Sequence, residues 1–188
     1  MAPARTDLQF LSGGTECAAW HHAGSNGAAV VMAAGTAVTK EPGTDAFGRR
    51  FAEAGFTVLA FDFRHLGGSG GQPRQVVRVP DQLADWHAAI ETAARLPEVD
   101  PARIALWGFS LSGGEVVEVA AQSSRVAAAI AQTPLADGRA VTRNGLRHQR
   151  LGATLRLTGR AVRDTVRGVL GRSAAASPRG AGGAGRSG

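Results

Sequence analysis

Short apolar runs alternate with amphipathic stretches through the first 135 residues of the chain. A continuous apolar run such as 28–34 is typical of a strand buried on both faces. The stretch 80–95 has helical periodicity instead, with Leu83, Trp86 and Ile90 on one stripe. The pattern predicts strands at 17–21, 28–34, 57–63, 103–107 and 126–132, and helices at 45–54, 80–95 and 115–121.

Strands that alternate with helices in this way predict an α/β fold, a mostly parallel sheet with helices on both faces. Functional residues in such sheets lie where the strands end, at their carboxyl edge. The loops expected at that edge contain Gly35, residues 62–69, Ser110 and residues 132–137.

The chain changes character after Asp137. Residues 150–170 keep helical periodicity, with Leu and Val on one face and arginines on the other. Residues 173–188 contain only Ser, Ala, Pro, Arg and Gly, which cannot build a core. The sequence therefore predicts a folded core at 1–138, a basic amphipathic helical segment at 139–172 and a disordered tail at 173–188. A dinucleotide-like glycine pattern at 180–185 has no strand before it, so we interpret it as chance.

Charge is distributed unevenly along the 188 residues, whose formal net charge is +6. Residues 139–188 hold eleven arginines and one acid, Asp164, whereas residues 1–138 carry a net charge of −4. The basic character thus belongs to the C-terminal segment and does not bear on the partners of the core. We predict no nucleic-acid partner for the protein.

The sequence lacks the patterns of a membrane span, a secretion signal and a metal site. No apolar run is long enough for a membrane-spanning helix, and the N-terminus lacks the apolar core of a secretion signal. The single cysteine, Cys17, cannot form an internal disulfide, which favours a cytoplasmic location. Cys17 has no partners at metal-ligand spacing, so we predict no metal site and interpret it as a half-buried strand residue.

The apolar run at 104–107 breaks into a turn with Ser110 at its centre. Gly108 precedes this serine by two residues, and Ser112, Gly113 and Gly114 follow it. Small residues at these positions permit the sharp strand-to-helix turn called a nucleophile elbow, which exposes a serine hydroxyl at its tip. The alternative is that Ser110 only caps the following helix.

Residues from about 8 to 138 resemble the first half of an α/β-hydrolase of the serine esterase and serine aminopeptidase branch. Three motifs carry the resemblance in the right order: residues 30–35, 61–71 and 102–114. The resemblance implies six strands with an antiparallel N-terminal edge, and a lid helix at 151–170. It also implies that Ser110 is the nucleophile and that the backbone N–H groups of Leu111 and Thr36 form the oxyanion hole. No metal or organic cofactor is implied.

The acid and the histidine of a triad are harder to place. Asp62 fits a loop anchor better than a catalytic carboxylate, and His65 and His87 fit structural roles. Asp137 and His148 have the right chain order, but they are only 11 residues apart and no predicted strand lies between them. We therefore expect Asp137 to cap the following segment. The GC-rich codon usage that residues 173–188 imply suggests a truncated or frameshifted gene product with a sheet incomplete at its C-terminal edge.

The sequence predicts a serine hydrolase that cleaves an ester, thioester or amide of a small-molecule acyl substrate through an acyl-Ser110 intermediate. Two alternatives stay open. One is an inactive remnant or binding module that keeps the pocket without the triad. The other is a protein that binds anionic surfaces through the arginine face of residues 150–170. The sequence leaves the oligomeric state open.

Overall fold

The computed structural model describes residues 4–41, 43–148 and 151–169. Six strands within this part of the chain form one sheet. The strands are β1 (Arg5–Ser12), β2 (Thr15–His22), β3 (Ala29–Ala33), β4 (Thr57–Phe61), β5 (Ile104–Phe109) and β6 (Val126–Gln132). The helices are α1 (Thr44–Glu53), α2 (Val79–Ala93), α3 (Leu111–Gln122), α4 (Gly138–His148) and α5 (Leu151–Val169).

The sheet has the strand order β1-β2-β4-β3-β5-β6. Strands β3 to β6 are parallel to one another, and β2 pairs antiparallel with both β1 and β4. The predicted α/β class and the antiparallel N-terminal edge are therefore confirmed. Because β3, β4, β5 and β6 point the same way, the loops that follow them lie along one edge of the sheet.

Helices cover both faces of the sheet. Trp86 and Ile90 of α2 and Val116 of α3 pack on one face in the larger apolar core, where Trp86 is fully buried. Ala52 of α1 joins a smaller core on the other face. The strands of the centre are buried on both sides, which explains the continuous apolar runs in their sequences.

Helix α3 begins at Leu111 and β5 ends at Phe109, so the two elements adjoin Ser110 more closely than predicted, and three further details differ. No strand was predicted at β1, because Arg5, Thr6 and Asp7 are polar and exposed. Strand β4 ends at Phe61, two residues earlier than predicted, and the carboxylate of Asp62 after it accepts hydrogen bonds from the backbone N–H groups of Lys40 and Gly68. Cys17 was expected to be half-buried but is fully buried, and burial raises the pKa of its thiol to about 12.

The described residues divide into two compact units, and the boundary along the chain falls between Ala136 and Asp137. The second unit begins with Asp137, whose carboxylate accepts hydrogen bonds from the backbone N–H groups of Arg139 (2.8 Å) and Ala140 (3.0 Å). This arrangement is the helix cap expected from the sequence. The predicted helix at 150–170 is present as α5, with Leu155 and Val162 exposed on it. None of the helices in the described ranges has the length and apolar character needed to cross a membrane. The tail predicted at 173–188 lies outside the described residues.

Candidate active site

Ser110 occupies the sharp turn between β5 and α3. Its backbone adopts φ 59° and ψ −114°. Residues other than glycine rarely take a positive φ, and such strained conformations concentrate at functional sites. The side chain is half-buried, so its hydroxyl is not sealed inside the core. The predicted elbow is therefore present in its backbone geometry.

Hydrogen bonds from neighbouring segments hold the strained serine in place. The Ser110 N–H donates to the carbonyl of Gln132, at the end of β6, over 3.0 Å. The Ser110 carbonyl accepts from the N–H groups of Gly114 (3.2 Å) and Leu135 (2.8 Å). Because both backbone groups are satisfied, the fold around the turn compensates for its strain.

Close packing at the elbow requires glycine at two positions. A Cβ atom on Gly108 would overlap the carbonyl of Ser112, and one on Gly114 would overlap the carbonyl of Leu135. These overlaps are with backbone atoms, which cannot rotate away. The glycines noted in the sequence thus permit the strand, the helix and the segment after β6 to meet at Ser110.

A tight turn after β3 lies beside the serine. The N–H of Val38 donates to the carbonyl of Gly35 over 3.1 Å, and Ala37 within the turn has φ 54°. A Cβ atom on Gly35 would lie only 2.9 Å from the Cβ of Ser110. The N–H of Thr36 takes no part in this hydrogen bond of the turn. This turn and Leu111, the first residue of α3, are the two segments in which the sequence predicts the oxyanion-hole groups.

A small apolar pocket opens next to the elbow. Its volume is about 170 Å³, and its lining is almost entirely apolar. The Phe47 ring of α1 packs on Trp107 of β5, with ring centroids 5.0 Å apart. The lining residues are Ala34, Val38, Thr39, Gly43, Thr44, Phe47, Trp107, Phe109 and Gln132. The sequence did not predict this pocket, because its walls come from three separate elements and the turn after β3.

A buried polar cluster lies behind the elbow. The Ser112 hydroxyl lies 2.5 Å from the carbonyl oxygen of Ala34 and 3.3 Å from Oε2 of Glu115. The Trp86 indole donates to the same Oε2 over 3.1 Å. Glu115 was not predicted as a residue of this site, because a single glutamate on a helix usually faces solvent.

Asp62 anchors the loop after β4, as the sequence predicted. Its carboxylate accepts from the Lys40 ammonium (2.6 Å), the Lys40 N–H (2.7 Å) and the Gly68 N–H (2.9 Å). Both oxygens are thus occupied by Lys40, which follows β3, and by Gly68 of the loop after β4, which supports the structural role over the catalytic one.

The histidines in the described part of the chain lie on β2 (His21 and His22), in the turn after β4, on α2 and at the end of α4. His21 on β2 pairs with Glu98 over 2.7 Å, and β2 is separated from β5 by two strands. His65 lies in the turn after β4, and His87 lies on α2. Among the side chains that the structure describes, no histidine hydrogen-bonds to the Ser110 hydroxyl. His148 is the last residue of α4, and its side chain is outside that set.

Comparison with known proteins gives a consistent result. The quorum-quenching protein AidA of Acinetobacter baumannii is 38% identical over 173 residues, which are 89% of this chain and 55% of AidA. The polyketide transferase grgF of a Penicillium species is 34% identical over 135 residues. The crystal structure of the α/β-hydrolase GrgF from Penicillium superposes with a TM-score of 0.74 at 30% identity and covers 90% of this chain and 56% of GrgF.

The hypothetical protein PA2218 of Pseudomonas aeruginosa has a TM-score of 0.76 at 27% identity, with 90% of this chain and 55% of PA2218 covered. The chain spans about half the length of these curated relatives. A family model described as PET hydrolase-like matches residues 12–144, which is well over half of the chain. With the elbow, the strand order and these matches together, the chain belongs to the PET hydrolase-like family of the α/β-hydrolase superfamily.

Proposed function

We propose that the protein is a serine hydrolase that cleaves an ester, thioester or amide through an acyl-Ser110 intermediate. The observation that carries the proposal is the backbone of Ser110, strained at a positive φ and clamped by three hydrogen bonds. A simple helix cap needs no such conformation, since capping residues normally have extended backbone. The fold instead retains a strained backbone at the residue whose hydroxyl it exposes.

The proposed reaction has an ordinary electron balance. The Ser110 Oγ attacks the acyl carbonyl carbon, its proton passes to a general base, and the carbonyl π pair moves onto oxygen. The N–H groups of Leu111 and Thr36 donate to that oxyanion. Its collapse expels the alkoxide, thiolate or amine, which takes up a proton, and water then releases the acid. None of the side chains that the structure describes hydrogen-bonds to the Ser110 hydroxyl as its base.

The pocket beside the elbow supports a small acyl group as the substrate moiety. Its volume of about 170 Å³ is close to that of an engineered cavity that binds benzene, about 150 Å³. Phe109 lines it and directly precedes the nucleophile. A short alkyl chain or a single ring would fit there with its carbonyl at Ser110, whereas a long acyl chain would have to extend into solvent.

A fluorophosphonate probe tests the proposal. Activated serine nucleophiles attack its phosphorus and lose fluoride, which leaves a stable adduct. We expect labelling of the folded chain at Ser110 and its complete loss in Ser110→Ala. Ser124→Ala, which changes an exposed serine beyond α3, is the matched control and should label normally.

The second candidate function is a binding module that keeps the pocket without turnover. It is favoured by one observation, that no described histidine contacts the Ser110 hydroxyl. This function predicts no labelling of the folded protein, together with binding of hexanoate detected as an NMR shift of the Trp107 indole N–H. Labelling at Ser110 would exclude it.

A further inference from the structure

Glu115 is a buried carboxyl group just behind the elbow, five residues after Ser110. Its side chain is almost fully buried, with 3% of the residue exposed. Oε2 receives the indole N–H of Trp86 over 3.1 Å, whereas Oε1 is buried without a hydrogen-bond partner. An ionised carboxylate with one bare oxygen in such a place is costly, so the surroundings favour the neutral acid.

The Ser112 hydroxyl lies between two acceptors. A serine hydroxyl carries one proton, and the carbonyl oxygen of Ala34, 2.5 Å away, can only accept. Oε2 of Glu115 can accept the same proton but lies farther away, at 3.3 Å from Ser112 Oγ. The shorter contact favours donation to Ala34 while Glu115 is neutral, because a neutral carboxyl is a weaker acceptor than a carboxylate.

We propose that Glu115 is a positioning residue whose protonated carboxyl directs the Ser112 hydroxyl onto Ala34 and so holds the Gly35–Val38 turn against Ser110. Ala34 immediately precedes this turn, in which we place the Thr36 group of the oxyanion hole. When Glu115 ionises, its carboxylate competes for the single Ser112 proton. Ser112 then donates to Oε2, and the Ala34 carbonyl loses its partner.

The charges around Glu115 set the pH at which this exchange occurs. Burial raises the pKa of Glu115 to about 7, and hydrogen bonds from Trp86 and Ser112 act in the opposite direction. Glu118 on the same helix and Asp85 on α2 add smaller repulsive contributions that also raise it. Asp85 is itself paired with Arg64 over 2.6 Å. The Gly35–Val38 turn should accordingly be held against Ser110 at pH 6 and released from it by pH 8.

The experiment follows the backbone amide of Thr36 by NMR across this pH range, in the full chain. We expect the Thr36 resonance to move with a midpoint near pH 7, in step with the side-chain carboxyl carbon of Glu115. In Ser112→Ala the Glu115 carbon should still titrate while the Thr36 amide stays still, because the connecting hydroxyl is gone. Glu115→Gln should remove the transition, and Glu118→Gln, at an exposed position on the same helix, should keep it.

Two results would overturn the inference. One is a Glu115 carboxyl that is ionised throughout the range from pH 6 to 8. The other is a Thr36 amide that titrates equally in wild type and Ser112→Ala. The catalytic consequence rests on the proposed function: fluorophosphonate labelling of Ser110 should slow above pH 7 relative to Glu115→Gln. If labelling fails at every pH while the NMR transition persists, the proposed function fails and the positioning role stands.

Discussion

Backbone strain at a single residue connects the sequence of this protein to its chemistry. Ser110 holds φ 59°, which costs on the order of 1 to 3 kcal/mol for a residue with a side chain. The surrounding glycines and the carbonyl of Gln132 make the conformation possible. At this scale, the proposed function depends on which residues lack a Cβ as much as on which carry a hydroxyl.

Replacing Gly108 with alanine tests this dependence. The new Cβ overlaps the Ser112 carbonyl, so β5 and α3 must separate and the elbow must shift. We expect Gly108→Ala to lower the free energy of unfolding by at least about 2 kcal/mol and to abolish labelling of Ser110. Chemical denaturation and fluorophosphonate labelling measure the two effects. Wild-type stability in this variant would contradict the packing described for the elbow.

The sequence predicted some residues of the site and missed others for physical reasons. Ser110 and Leu111 are adjacent along the chain and follow a strand, so a local motif was enough to place them at the elbow. Thr36 was placed through the family resemblance, in the loop after a second strand, and the catalytic roles of all three stay predictions. Glu115 was missed because its burial depends on Trp86, which reaches it from α2 only after the sheet has formed. Long-range contacts of this kind leave no local pattern.

At the scale of helices and strands, the periodicity of apolar residues was the most reliable basis for prediction. Strand β6 matches its predicted bounds, and α5 follows from a repeat of apolar and arginine positions. Strand β1 was missed because it presents mostly polar, exposed residues and depends on pairing with β2. Edge elements held by pairing, with few buried side chains of their own, are therefore the hardest to predict.

Glycines within α5 offer a test of element stability. A Cβ on Gly152 or Gly159 meets no atom within 4 Å, and both residues lie inside a helix. Alanine at each should stabilise the helix by about 1 kcal/mol, because it restricts the unfolded backbone. Circular dichroism should show increased helicity for Gly152→Ala and Gly159→Ala.

Gly14 provides the matched control for this prediction. Its surroundings are equally open, but its φ is +77° in the turn between β1 and β2. Gly14→Ala should therefore destabilise the protein by about 1 kcal/mol, the opposite sign. Stabilisation by all three substitutions would show that space alone, without backbone conformation, decides the effect.

At the scale of the whole molecule, burial of charge links stability to pH. The folded state holds a proton on Glu115 up to about pH 7, whereas the unfolded chain releases it near its ordinary value of 4.5. Folding thus takes up a proton between these two pH values. A group whose pKa is raised in this way makes the protein less stable as pH rises through that window.

We predict that wild type loses stability relative to Glu115→Gln between about pH 4.5 and 7, and no further above it. The accumulated difference should be on the order of 3 kcal/mol. Urea denaturation of both proteins across this range measures it. A difference that does not change with pH would mean that Glu115 is not neutral in the folded protein.

The proposed acyl-Ser110 intermediate is tested most directly by trapping it. The protein is mixed with p-nitrophenyl hexanoate, quenched in acid within seconds, digested and analysed by mass spectrometry. We expect a hexanoyl group on the peptide that contains Ser110 in the wild-type protein. The group should also be present in Ser124→Ala and absent in Ser110→Ala. Release of p-nitrophenol with no adduct on Ser110, or with the adduct on another residue, would contradict it.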